Sequence, residues 1–96
     1  MKWSVRFHPE VENDLKLLGS AEALRVLKVI RQRIAEGEPD KIGKPLRGAL
    51  AGLRRIRTGD VRIVYRINGA EIVLVLCIGA RRDEEVYIAA TSRVRS

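Results

Sequence analysis

Cysteine is almost missing from this 96-residue chain: Cys77 stands alone, so no internal disulfide can form. It lies in the run Ile72-Val-Leu-Val-Leu-Cys-Ile78, the setting of a buried, inert thiol rather than a nucleophile. Histidine is as scarce. His8 has no Cys or His neighbour with ligand spacing, which excludes the common zinc constellations and leaves it a structural residue. No metal or other cofactor is expected. Long apolar runs are missing too, since none approaches the ~20 residues a membrane-spanning helix needs. Arg6, His8 and Glu10 interrupt the N-terminal stretch, so no export signal is expected, and the expected compartment is the cytoplasm. Acid is absent from one segment in particular. Lys41, Lys44, Arg47, Arg54, Arg55 and Arg57 follow one another with no Asp or Glu between them.

What is present is positive charge on a globular background. Nineteen Lys and Arg against twelve Asp and Glu give a formal net charge of +7. Such a balance points to nucleic acid, an anionic membrane or an acidic protein as partner and says nothing of fold. With 46% hydrophobic residues the chain carries enough apolar material for a core, and its length suits one domain spanning residues 1–96.

Periodicity gives the elements. Trp3, Val5 and Phe7 alternate as in a first strand, which Pro9 ends. Val11, Leu15 and Leu18 recur at helical spacing up to Gly19. Ser20 is a fitting N-cap for a second helix with Leu24, Leu27, Ile30 and Ile34 as its apolar stripe, and Gly37 suits its end. The stretch from Glu38 to Leu50, holding Pro39, Gly43, Pro45 and Gly48, reads as a basic loop. Leu53 to Arg57, Val61 to Ile67 and Glu71 to Ile78 read as three strands, joined by Thr58-Gly59-Asp60 and by the hairpin signal Asn68-Gly69. Val86 to Ala89 reads as a last short strand. The expected class is α+β in the order β-α-α-β-β-β(-β). Two N-terminal helices pack on one face of a small antiparallel sheet, and the other face stays partly open.

That arrangement gathers basic side chains. Val61, Ile63, Tyr65 and Ile67 share one strand face, which puts Arg62 and Arg66 on the other. Tyr65 and Trp3 read as core. Several guanidiniums grouped on one sheet surface make a phosphate site. The competing reading is a solvated strand face, but such faces usually mix both signs.

The order of elements, together with Phe7-His8-Pro9, Pro45-Leu46-Arg47-Gly48, Leu53-Arg-Arg-Ile-Arg-Thr-Gly-Asp-Val-Arg-Ile-Val-Tyr65 and Ile78-Gly-Ala-Arg-Arg followed by Val86-Tyr87, resembles the RelE/ParE toxin superfamily, and its RelE branch most. The resemblance covers nearly the whole chain. It implies the toxin of a type II toxin–antitoxin pair, a ribosome-dependent endoribonuclease that cuts messenger RNA in the A site. It implies as partners the ribosome with its mRNA, and a RelB-like antitoxin carrying an acidic amphipathic segment. By motif it assigns catalytic places to Arg55, Arg57, Arg62, Arg81 and Tyr87. The basic residues Lys41, Lys44, Arg47 and Arg66 are expected to contact RNA. The best-described members carry lysines where Arg55 and Arg57 stand. A guanidinium, with a pKa above ~12, carries no protons near neutrality but still stabilises phosphorane charge. Two other readings share this fold: a ParE-like toxin acting on DNA gyrase, and a nucleic-acid-binding relative without toxicity.

Overall fold

Strict alternation along Val61–Ile67 builds the centre of the molecule. Val61, Ile63 and Tyr65 point to one side of the sheet and are fully buried there, while Val64 is buried on the other side. The computed structural model describes residues 3–80 and 83–94. In chain order these form β1 (Ser4–Phe7), α1 (Val11–Leu18), α2 (Ser20–Ile30), β2 (Lys44–Pro45), β3 (Leu53–Thr58), β4 (Val61–Ile67), β5 (Ile72–Gly79) and α3 (Asp83–Val94). The sheet order is β1-β5-β4-β3-β2. All pairings are antiparallel except β1 with β5, which is parallel.

Two apolar layers flank the sheet. Val11 of α1 and Val26 and Ile30 of α2 pack with Ile34 against Ile56, Ile63, Tyr65 and Val73. On the opposite face Val86 and Ala90 of α3 pack with Leu50, Leu53, Val64 and Leu76. β5 serves both layers through a bulge. Val64 pairs with Cys77 and Tyr65 with Val75, so Leu76 is the extra residue. The bulge puts Leu76 and Cys77 side by side under α3 while Val75 and Ile78 both face α1 and α2. Cys77 is accordingly buried, and burial above all pushes its thiol up to about 11. It is a structural residue.

Three expectations change here. Val86 to Ala89 is part of helix α3, not a strand, and α3 covers part of the face expected to be open. Val86 and Ala90 lie one helical turn apart and are buried while Ile88 between them is 69% exposed, whereas a strand would put all three on one face. The stripe of α2 is Val26, Ile30 and Ile34, whereas Leu24 is 69% exposed and Leu27 lies at the edge of the layer. The basic loop contributes a short edge strand, β2, and a 3-10 turn at Gly48–Leu50. Beyond Ile30 the helix widens into a π turn over Arg31–Ala35, seen in the bond from the Glu36 amide to the Arg31 carbonyl. Among the described residues no helix is long and apolar enough to cross a membrane.

Gly19 makes the sharp corner between the first two helices with φ 87°, a left-handed value that a side chain would strain. Arg25 then fastens α2 to the β3–β4 turn, donating to the Thr58 hydroxyl at 2.8 Å and to Glu22 at 2.7 Å. Tyr65 anchors the basic loop: its buried hydroxyl donates to the Pro39 carbonyl at 2.8 Å, with the Ile42 carbonyl 3.2 Å away. Burial pushes this phenol up from its ordinary value. Tyr65→Phe would leave the Pro39 carbonyl without that donor. A loss of about 1–2 kcal/mol is expected, which lowers the melting temperature by several degrees in a domain of this size. An unchanged melt would show that the loop is held by other contacts.

Candidate functional site

The two-residue turn at Gly59-Asp60 fixes the register that makes the site. It pairs Thr58 with Val61, and from there Arg57 falls directly opposite Arg62, Arg55 opposite Val64 and Leu53 opposite Arg66. Directly opposed residues share a face. On the outer side β2 sets Lys44 opposite Arg55. One sheet face therefore carries Lys44, Arg55, Arg57, Arg62 and Arg66, and β2, β3 and β4 contain no Asp or Glu. Like charges placed directly opposite cost stability, so two such pairs, Lys44 with Arg55 and Arg57 with Arg62, make a surface suited to an anion.

Helix α3 closes one side of this face. Tyr87 projects from it, half-buried against the Leu53/Val64/Leu76 layer, and its hydroxyl accepts a hydrogen bond from Arg55 Nη1 at 3.2 Å. Arg62 Nη1 donates to the Asp60 carbonyl at 3.0 Å, which holds the guanidinium near the β3–β4 turn. Arg33 donates to the Arg57 carbonyl at 3.4 Å and so braces the strand from the other layer, while the Arg57 side chain stays exposed. Arg54, facing away from the site, donates to the Ile42 carbonyl at 2.8 Å and steadies the loop that leads into β2. Gly43 makes the close approach there. With φ +77°, a Cβ would meet the Arg55 carbonyl oxygen at 2.9 Å.

The sequence-derived residues thus divide. Arg55, Arg57, Arg62 and Tyr87 come together, with Lys44 and Arg66 on the same face. Arg81 lies outside the described residues. Arg47 is exposed at the start of the 3-10 turn. Lys41 pairs with Glu38 at 3.1 Å, in a shallow hollow with Trp3 and Glu71. That contact raises its pKa. Arg66 is partly buried, and its Nε finds no hydrogen-bond partner among the described residues. A surface of this kind is chemically suited to an anion such as a phosphodiester. Among the described residues no group of three or more His, Cys, Asp or Glu could hold a metal. His8 has a structural task, its Nδ1 accepting the Glu10 amide at the start of α1.

The fold is that of a known class of small toxins. The family described as "ParE toxin of type II toxin-antitoxin system, parDE" matches residues 5–85. Toxin RelG of Mycobacterium tuberculosis (strain ATCC 25618 / H37Rv) is 33% identical over 84 residues, covering 86% of this chain and 95% of that protein. A chain of the toxin–antitoxin complex RelBE2 from Mycobacterium tuberculosis superposes with a TM-score of 0.70 at 32% identity, covering 84% of this chain and 100% of that one. A mutant of the E. coli toxin RelE in the free state superposes with a TM-score of 0.75 at 25% identity, covering 98% of this chain and 99% of that one. The chain belongs to the ParE toxin family, within the RelE/ParE superfamily, and is a type II toxin–antitoxin toxin of RelE type.

Proposed function

We propose that this toxin is a ribosome-dependent endoribonuclease that cuts mRNA in the A site and so stops translation in the cytoplasm. The observation that carries the reading is the cross-strand arginine group, Arg55, Arg57 and Arg62, with the Tyr87 hydroxyl 3.2 Å from Arg55. RNA holds its own nucleophile. The 2′-oxygen attacks the adjacent phosphorus, the 5′-oxygen leaves, and a 2′,3′-cyclic phosphate forms. The 2′-hydroxyl gives up a proton and the 5′-oxygen gains one. Fixed guanidiniums stabilise the doubly charged transition state without moving protons. The phenol of Tyr87 sits where it can exchange a proton or stack on a base. Alignment of the 2′-oxygen, phosphorus and 5′-oxygen is left to the ribosome, a term worth several kcal/mol. Lys44, Arg47 and Arg66 extend the basic surface along the RNA. A RelB-like antitoxin with acidic residues is the partner that covers this face; the Mycobacterium tuberculosis relative is itself part of a toxin–antitoxin complex, RelBE2.

The test is primer extension on a translated message with purified protein and ribosomes. Cuts inside codons, dependent on ribosomes and absent on naked RNA, are the expected result. The match to a ParE family favours a second reading, inhibition of DNA gyrase. Intact message together with blocked supercoiling would establish that reading instead.

A further inference from the structure

Helix α3 brings little of its own to the sheet. Its buried apolar residues are Val86 and Ala90, while Ile88 is 69% exposed. A helix of 12 residues is marginal in water unless packing holds it. One polar contact compensates. Arg93 meets Asp14 of α1 in a fork, Nη1 to Oδ2 at 2.6 Å and Nη2 to Oδ1 at 2.9 Å. Arg93 Nη1 also donates to the Leu76 carbonyl at 2.9 Å, and Asp14 Oδ2 accepts the Ile78 amide at 3.0 Å. The pair is nearly closed to solvent, with side-chain exposures of 13% and 9%. Helix α1 thus meets β5 and α3, more than fifty residues further along the chain, at one two-toothed bond, which raises the Arg93 pKa.

We propose that Asp14 and Arg93 are positioning residues for Tyr87: their ion pair latches α3 onto β5 and holds the phenol against Arg55. Arg93 touches no reacting group and acts through the helix it ends. Removing one partner leaves a buried charge uncompensated, which destabilises far more than the intact pair stabilises. The helix then lifts, and the tyrosine loses its place while the arginine face stays on the strands. The role of Tyr87 rests on the nuclease reading given above. The latch itself does not, and it can be read without RNA.

The chain contains its own probe. Cys77 is 3% exposed under α3, beside Val86, and lines a hollow of about 270 Å³ with Asp14 and Ala89. Trp3 packs on the opposite layer and reports whether the rest of the fold survives. The experiment follows Cys77 modification by Ellman's reagent in Arg93→Met and in Asp14→Asn, which keeps an acceptor for the Ile78 amide. With Trp3 emission native, the modification rate is expected to rise on the order of 100-fold in Arg93→Met, with a smaller rise in Asp14→Asn and in Arg93→Lys. On programmed ribosomes, single-turnover cleavage falls while the toxin concentration for half-maximal rate stays the same. In a Tyr87→Phe background, Arg93→Met should cost little further, because both changes remove the same contribution. If Arg93→Met loses native Trp3 emission, Asp14→Asn decides. Thiol rates equal to the parent's in the folded variants overturn the latch whatever the cleavage assay shows. A full additional loss in the Tyr87→Phe background overturns the link to the tyrosine. If the parent protein leaves message intact, the nuclease reading fails and the thiol rates still decide the latch.

Discussion

Arg62→Ala is expected to abolish growth inhibition on expression and to slow single-turnover cleavage on the ribosome by about 100-fold, the usual cost of one charged donor to a transition state. The side chain stands opposite Arg57 and beside Gly79, on the face away from Ile63. Its flanking residues Val61 and Ile63 are fully buried and keep the strand in register without it. The bond it makes to the Asp60 carbonyl is exposed and local, so truncation changes stability by only about 0.5 kcal/mol. Loss of activity with an unchanged melting curve is therefore the expected pair of results. Arg81→Ala should behave alike by its place in the family motif. A soluble Arg62→Ala protein that remains fully toxic would remove this arginine from the site.

The paired change of Arg55 and Arg57 has the larger effect and separates charge from proton transfer. Gln at both positions removes two positive charges from β3 and the charged donor to the Tyr87 hydroxyl. Cleavage should fall by more than about 100-fold, since two donors to the same developing charge are lost. Lys at both positions keeps the field and adds groups able to give up a proton. That variant should match or exceed the native rate. Single-turnover cleavage of an A-site codon by the three proteins decides the matter. Equal rates for the Gln pair and the native protein would make these arginines a solvated strand face.

How much of this could be read from sequence depended on the range of the contact. The first helix ends at Gly19 as its spacing predicts, and the β3–β4 hairpin follows from the alternation of Val61, Ile63 and Tyr65 about a short turn. The shared face of Arg62 and Arg66 was legible from the same alternation, whereas their register against Arg57 and Leu53 comes from a turn one residue shorter than the Thr58-Gly59-Asp60 connection read from sequence. The last element was misread since Val-Tyr-Ile suits a strand locally, while the fit of Val86 and Ala90 on Leu76 decides for a helix. Leu24 and Leu27 obey the helical period, yet Leu24 lies on the outer side of α2 and Leu27 only at the edge of the layer, as a repeat of Leu, Val and Ile allows more than one stripe. The Asp14–Arg93 pair left no trace in the chain, because nothing local marks two residues joined only through the tertiary fold.

The parallel pairing of β1 with β5 governs when the toxin can exist. Ser4 has no strand partner until Ile72 has been made, and β5 is also the neighbour that β4 requires. Loop closure over such a span is slow, and a chain leaves the ribosome at about 5–20 residues per second. A nascent chain that stops before β5 holds the arginines of β3 and β4 on an open-edged hairpin, without the central strand or the tyrosine helix. A chain cut short before β5 is therefore expected to be inert, because its arginines stand on a hairpin that has neither the neighbour β4 requires nor the helix that carries Tyr87.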